Sequence, residues 1–178
     1  MASCEKILLT GFSGAGKTAL LTALKPLALD YWDYFDDLDQ LIMRCHGKKH
    51  TNLALLIEEA GWQKFRLWER QVLEGWLKEE GRGVLALGSG TLSPLLLELF
   101  GKHRKVKFCY LEVSFETAWE RLFNRASSET HPLINLGKVR LLAQFEERLK
   151  VYEQIPWRVD GTRNLSQIAR DFWQNVEI

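Results

Sequence analysis

One octapeptide near the start of the chain constrains everything that follows it. Gly11-Phe12-Ser13-Gly14-Ala15-Gly16-Lys17-Thr18 satisfies the pattern G-x-x-x-x-G-K-[ST] at every required position. Such a loop needs a strand before it and a helix after it, and both flanks comply. Glu5-Lys6-Ile7-Leu8-Leu9-Thr10 is a short apolar run with a polar start. Thr18 to Lys25 carries apolar residues at helical spacing. The loop is therefore expected to bind a nucleoside triphosphate through Ser13, Gly14, Ala15, Gly16, Lys17 and Thr18. Glycine backbone turns inward N–H groups toward the phosphates. Lys17 reaches the β/γ-phosphates as a point charge, and the Thr18 hydroxyl is offered to magnesium. A helix starting near Gly16 adds the positive end of its dipole.

The rest of the chain alternates strand and helix. Tyr31 to Phe35 reads as a second strand, ending in the acidic cluster Asp36, Asp37 and Asp39, with Asp36 as a solvated neighbour. Leu38–Cys45 reads as a short helix, Leu53–Ala60 as a helix capped by Thr51 or Asn52, and 62–80 as a long amphipathic one. Val84–Leu87 is a wholly apolar strand that stops at Gly88-Ser89-Gly90, and Pro94 opens another helix. A fourth strand covers 106–113 and a helix covers 115–124. Residues 125–137 lack a period and contain Pro132, so a mobile loop is expected. A long helix over 138–155, a short strand over 157–160 and a helix over 165–176 complete the chain. Alternation of this kind implies a central parallel sheet of about five strands with helices on both faces. Ligands bind such sheets beyond the carboxyl ends of the strands. The glycine loop, the Asp cluster and Gly88-Ser89-Gly90 each follow a predicted strand, so all three belong at one edge.

Composition removes several other classes. With 178 residues, 46% of them hydrophobic, the chain suits one compact domain rather than a disordered one. Its formal net charge of +1 and the lack of a basic run argue against nucleic acid as a partner, despite seven Trp. Three widely spaced cysteines, Cys4, Cys45 and Cys109, suit neither a disulfide framework nor a zinc site and fit a reducing cytoplasm; Cys109 reads as a buried thiol. No leader pattern and no apolar run of bilayer length occur, so neither export nor membrane attachment is expected. There is no Asn-Lys-x-Asp guanine-reading sequence, which argues against a GTPase.

An ordered set of motifs resembles the shikimate kinases, from about Lys6 to about Asp160. Gly11 to Thr18 is similar to that family's nucleotide loop, and Asp37-Leu38-Asp39 to its D-x-D motif. Phe65-Arg66-Leu67-Trp68-Glu69 resembles its F-R-x-x-E helix, and Arg148 with Tyr152 resembles its R-x-x-x-Y helix. Gly88-Ser89-Gly90 stands where three glycines are usual. The resemblance implies a three-layer P-loop kinase fold, a single kinase domain over 1–178, an acceptor-binding helical region at about 38–80 and a lid at about 125–137. It also implies ATP and magnesium, a monomer, and phosphorylation of the 3-hydroxyl of shikimate in aromatic amino-acid biosynthesis.

Phosphoryl transfer needs charge neutralisation, a metal and an aligned acceptor hydroxyl. Lys17, Thr18 and magnesium supply the first two, with Asp37 holding the ion through water. Asp39 accepts or orients the hydroxyl proton. Arg66 and Arg148 clamp a carboxylate by paired hydrogen bonds, while Gly88, Ser89 and Gly90 lie against a small polar ring. Taken singly, each group has a plainer role. Asp37 and Asp39 suit helix caps, Arg66 and Glu69 a surface ion pair, and Arg148 an exposed charged face. Two departures from the family stand out. Ser89 adds a side chain beside the ring, to clash or to donate a hydrogen bond. His131 stands before Pro132-Leu133-Ile134, where the family commonly has an arginine. A histidine of ordinary pKa near ~6.5 is mostly neutral at neutral pH, so reduced or pH-sensitive turnover is expected. Arg125 matches the family's other phosphate-side arginine, and Lys138 or Arg140 are candidate substitutes for the missing one. Two alternatives stay open: a kinase for another small hydroxylated carboxylate such as gluconate, and a weakly catalytic nucleotide-binding regulator.

Overall fold

A computed structural model describes residues 5–28, 32–103, 105–126 and 137–176, without the side chains of Arg125 and Ala126. Five strands form one sheet in the order β2-β3-β1-β4-β5. They are β1 (Lys6–Thr10), β2 (Tyr34–Asp37), β3 (Gly83–Ala86), β4 (Val106–Glu112) and β5 (Arg158–Asp160), and every pairing is parallel. Among the described residues eight α-helices connect or follow them: α1 (Lys17–Leu24), α2 (Leu38–His46), α3 (Leu53–Ala60), α4 (Trp62–Lys78), α5 (Pro94–Gly101), α6 (Phe115–Ala126), α7 (Lys138–Tyr152) and α8 (Leu165–Gln174). Successive strand residues point to opposite faces. All five residues of β1 and all four of β3 are buried, so both faces of the sheet centre are covered. Even Lys6 is 4% exposed, its ammonium lying 5.1 Å from the Tyr34 ring centroid and 4.5 Å from that of Trp76.

Register sets where the loops leave. Ala86 of β3 pairs with Leu9 of β1 on one side and with Asp37 of β2 on the other. The carboxyl ends of three adjacent strands thus stand at one level, and the glycine loop, the start of α2 and residues 87–90 all depart from it. Caps agree with the local sequence. Asn52, Ser93 and Asn164 accept backbone N–H bonds at the starts of α3, α5 and α8.

The second strand begins three residues later, and ends two later, than its aromatic composition suggests. Trp32 leaves the sheet and packs against Trp173 of α8, ring centroids 5.2 Å apart. Asp33 accepts the Arg82 backbone N–H at 2.9 Å, so pairing begins only at Tyr34. As a result Asp36 and Asp37 are strand residues. Asp36 is not a solvated neighbour: its carboxylate accepts from the Trp76 indole at 2.9 Å and from Arg44 at 3.2 Å. Burial pushes the Cys109 thiol far up, as suits an inert core cysteine; Cys45 is exposed. Among the described residues no helix is long and apolar enough to cross a membrane.

Candidate active site

The glycine loop joins β1 to α1 and is wedged from behind by α6. Gly14 has φ 83°, and a Cβ there would strike the Ala118 carbonyl of α6, so this turn accepts only glycine. Arg121, also on α6, donates to the Ala15 carbonyl at 3.0 Å and to the Gly161 carbonyl at 2.9 Å, tying the loop to the turn after β5. Arg121 belongs to no motif, and only the folded topology brings it here. Ala15 is 1% exposed and stands behind the loop rather than in the cleft. Lys17 folds back over the loop, its Nζ donating to the Gly11 carbonyl at 2.7 Å and the Phe12 carbonyl at 3.1 Å. Burial lowers its pKa to about 8, against the opposing pull of Asp39 and Asp37.

Beside the loop lies an acidic corner. Asp37 caps α2, Oδ1 accepting from the N–H groups of Asp39 (3.0 Å) and Gln40 (3.4 Å). Its Oδ2 accepts from the Thr18 hydroxyl at 2.8 Å. The helix cap and the Thr18 contact are therefore made by one carboxylate through its two oxygens. These hard oxygen donors, one hydroxyl and one carboxylate, fit magnesium, which favours few protein ligands and takes the rest from phosphates and water. Asp39 sits in the first turn of α2. Burial, then the charges of Asp37 and Glu69, push its carboxyl up to about 6, while Lys17 and Arg66 pull the other way.

The opposite side of the cleft is built by α4, α7 and residues 87–91. Arg66 donates to Glu69 Oε2, and Glu69 Oε1 accepts from the Thr91 hydroxyl at 2.6 Å. Glu69 is 2% exposed, so the pair is no surface ion pair. Thr91 went unnoticed in the sequence because its link to Glu69 is non-local. Gly90 leaves room for the Arg66 guanidinium, which a Cβ at this position would push aside. Arg66 also lies over the rings of Trp62 (5.2 Å) and Phe65 (5.8 Å). Arg148 is half-buried rather than on an exposed charged face, its guanidinium 5.3 Å above the Phe12 ring. It donates to the Ser89 hydroxyl at 3.0 Å and to Gln144 at 3.4 Å. The Tyr152 hydroxyl donates to the Ser89 carbonyl at 2.6 Å.

One cleft of about 400 Å³ collects these groups: Ser13, Gly14, Gly16, Lys17 and Thr18 on one wall, with Asp37, Asp39, Arg66, Gly88, Ser89, Gly90 and Arg148 around the rest. A separate groove of about 620 Å³ lies by the amino ends of β4 and β5 and contains none of them. The Arg125 side chain and most of the expected lid, His131 included, lie outside the described residues. Lys138 and Arg140 begin α7 as exposed residues, with Lys138 6.0 Å from the Trp119 ring centroid.

A parallel sheet with a glycine loop at its carboxyl edge, opening on a small cleft lined by carboxylates and arginines, defines a P-loop small-molecule phosphotransferase. The sequence profile described as "Shikimate kinase" matches residues 13–177. A shikimate kinase of Chlorobium chlorochromatii is 35% identical over 154 residues, covering 85% of this chain and 74% of that one. The bifunctional shikimate kinase/3-dehydroquinate synthase of Thermotoga maritima is 31% identical over 159 residues, which is 89% of this chain but 29% of that longer protein. Among solved structures, shikimate kinase from Acinetobacter baumannii in complex with shikimate superposes with a TM-score of 0.76 at 23% identity, covering 96% of this chain and 92% of that one. The chain belongs to the shikimate kinase family.

Proposed function

We propose that this protein transfers the γ-phosphoryl group of Mg-ATP to the 3-hydroxyl of shikimate, giving shikimate 3-phosphate and ADP. The observation that carries this reading is the division of one cleft. A phosphate loop forms one wall, two arginines face the other side, and Asp39 stands between them. Arg66 and Arg148 hold the acceptor carboxylate by paired, charge-assisted hydrogen bonds. Asp39 accepts the proton of the attacking hydroxyl as its oxygen bonds to phosphorus and the bond to ADP breaks. Lys17 turns from its own loop carbonyls to the phosphates. Ser13, Gly14, Ala15 and Gly16 cradle those phosphates through backbone N–H groups, and Arg125 is assigned to the phosphates by its match to the family's phosphate-side arginine. Thr18, and Asp37 through water, would hold magnesium, which would supply charge neutralisation at the phosphates. A working monomer in the cytoplasm is part of this proposal, and the free thiols Cys45 and Cys109 suit that compartment.

The direct test is ADP release from Mg-ATP with shikimate, with gluconate and with no acceptor. Shikimate-dependent release, abolished by EDTA and restored by magnesium, is the expected result. Release with gluconate alone would change the acceptor. Nucleotide binding without acceptor-dependent release would leave a regulator.

The reaction also has a defined pH window. Asp39 must be ionised and Lys17 protonated, and their pKa values in the free protein are about 6 and about 8. The kcat/KM for shikimate should fall on the acid side as Asp39 takes up its proton and on the alkaline side as Lys17 loses its own, by about tenfold per unit beyond each limb. A profile flat from pH 5 to 9 would show that neither group carries the step.

A further inference from the structure

Ser89 is where this chain departs from three glycines, and its hydroxyl is the meeting point of the two halves of the cleft. Ser13 of the glycine loop donates to Ser89 Oγ at 2.7 Å, and Arg148 Nη1 donates to the same atom at 3.0 Å. From below, Tyr152 fixes the Ser89 carbonyl at 2.6 Å. Burial raises the Tyr152 phenol far above its ordinary pKa, so that group stays a donor. The hydroxyl accepts two bonds and retains its own proton to donate. Ser89 therefore does not clash in the cleft; it is held from three sides.

We infer that Ser89 is a positioning residue, which sets the Arg148 guanidinium for the acceptor carboxylate and takes its own orientation from Ser13. Three observations carry this. Among the described residues the second side-chain acceptor of Arg148 is Gln144, at 3.4 Å, and that bond is long. Its stacking on Phe12 fixes the height of the guanidinium but not its rotation about the ring normal. Ser13 lies 76 residues from Ser89 and makes no bond to Arg148. A change in the nucleotide loop can therefore reach the carboxylate-binding arginine through one hydroxyl. The inference rests on the acceptor assignment made above.

The test is steady-state kinetics at saturating Mg-ATP. Ser89→Ala should raise the KM for shikimate about 5- to 10-fold and leave kcat within about twofold, as expected for lost ground-state positioning. Ser89→Thr, which keeps the hydroxyl, should restore most of it. Ser13→Ala should raise the shikimate KM about threefold although position 13 belongs to the nucleotide wall, and the Ser13→Ala/Ser89→Ala double variant should do no more than Ser89→Ala. In an Arg148→Ala background, Ser89→Ala should add nothing. Thermal unfolding of each variant separates these effects from loss of folding, and Ser89→Gly repeats the experiment with no side chain at all. An unchanged shikimate KM in folded Ser89→Ala, or additive effects with Arg148→Ala, would overturn the inference alone. No shikimate turnover by the unmodified protein would overturn the proposed function, and this inference with it.

Discussion

Asp39→Asn should lower kcat with shikimate by about 10²- to 10⁴-fold, the usual contribution of a positioned general base. It should also make the protein more resistant to heat at pH 8. The two effects share one cause. Burial and the neighbouring charges of Asp37 and Glu69 raise the Asp39 carboxyl from 3.8 to about 6. An aspartate with a raised folded-state pKa holds its proton longer folded than unfolded. Stability from that group is complete below pH 3.8, declines as pH rises to about 6, and is gone above it. At one pKa unit per 1.36 kcal/mol, the ionised carboxylate costs about 2–3 kcal/mol at pH 8. Asparagine removes the charge and keeps the shape. A rise of roughly 5–10 °C in Tm at pH 8 follows for a chain of this size, shrinking toward zero near pH 4. An Asn variant with unchanged kcat would remove Asp39 from the chemistry. One with unchanged Tm at pH 8 would mean its charge is not strained.

Arg66→Ala should do two separable kinds of damage. The Glu69 carboxylate, 2% exposed, would keep Thr91 but lose its cation. Removing one partner of a buried pair costs about 3–5 kcal/mol, and the low end applies here because Arg66 is 39% exposed. Loss of a charge-assisted contact to the acceptor should also raise the shikimate KM by about 10- to 100-fold. Adding Glu69→Gln should recover most of the stability, since no charge remains buried, while leaving the KM high. Urea midpoints and KM values for the single and double variants decide the matter. A double variant as unstable as Arg66→Ala would show that Glu69 is not the stranded charge.

What the sequence disclosed, and what it concealed, follows from the range of the interactions. The glycine loop is legible because its chemistry is local: eight consecutive residues contain the turn, the cation and the hydroxyl. Alternating strands and helices yielded the parallel sheet, because periodicity reports which faces are covered. The helix from Leu53 to Ala60 was legible for the same reason, with a cap residue before it and glycine after it. The second strand was misplaced because aromatic residues suit a strand and a core equally well, and Trp32 chose the core. Asp36 looked solvated because its partner, Trp76, is 40 residues away. The links from Glu69 to Thr91, from Ser89 to Ser13 and from Arg121 to Ala15 all join separate elements, and no spacing rule reveals them.

The hydrogen bond between Asp36 and Trp76 has a consequence for how the strand finds its place. Asp36 and Asp37 are adjacent and chemically identical, and β2 is an edge strand with only β3 to align it. Sliding by one residue would send Asp37 to the opposite face and bring its twin toward Thr18, so the acidic pair alone does not distinguish the right alignment from the wrong one. The indole of Trp76 breaks the tie. Its N–H donates to only one of the two carboxylates, on the face away from the cleft, and Lys6 beneath the same ring favours a negative charge there. The cleft thus depends on a lock fitted to its reverse side: a tryptophan outside the cleft selects which aspartate reaches Thr18.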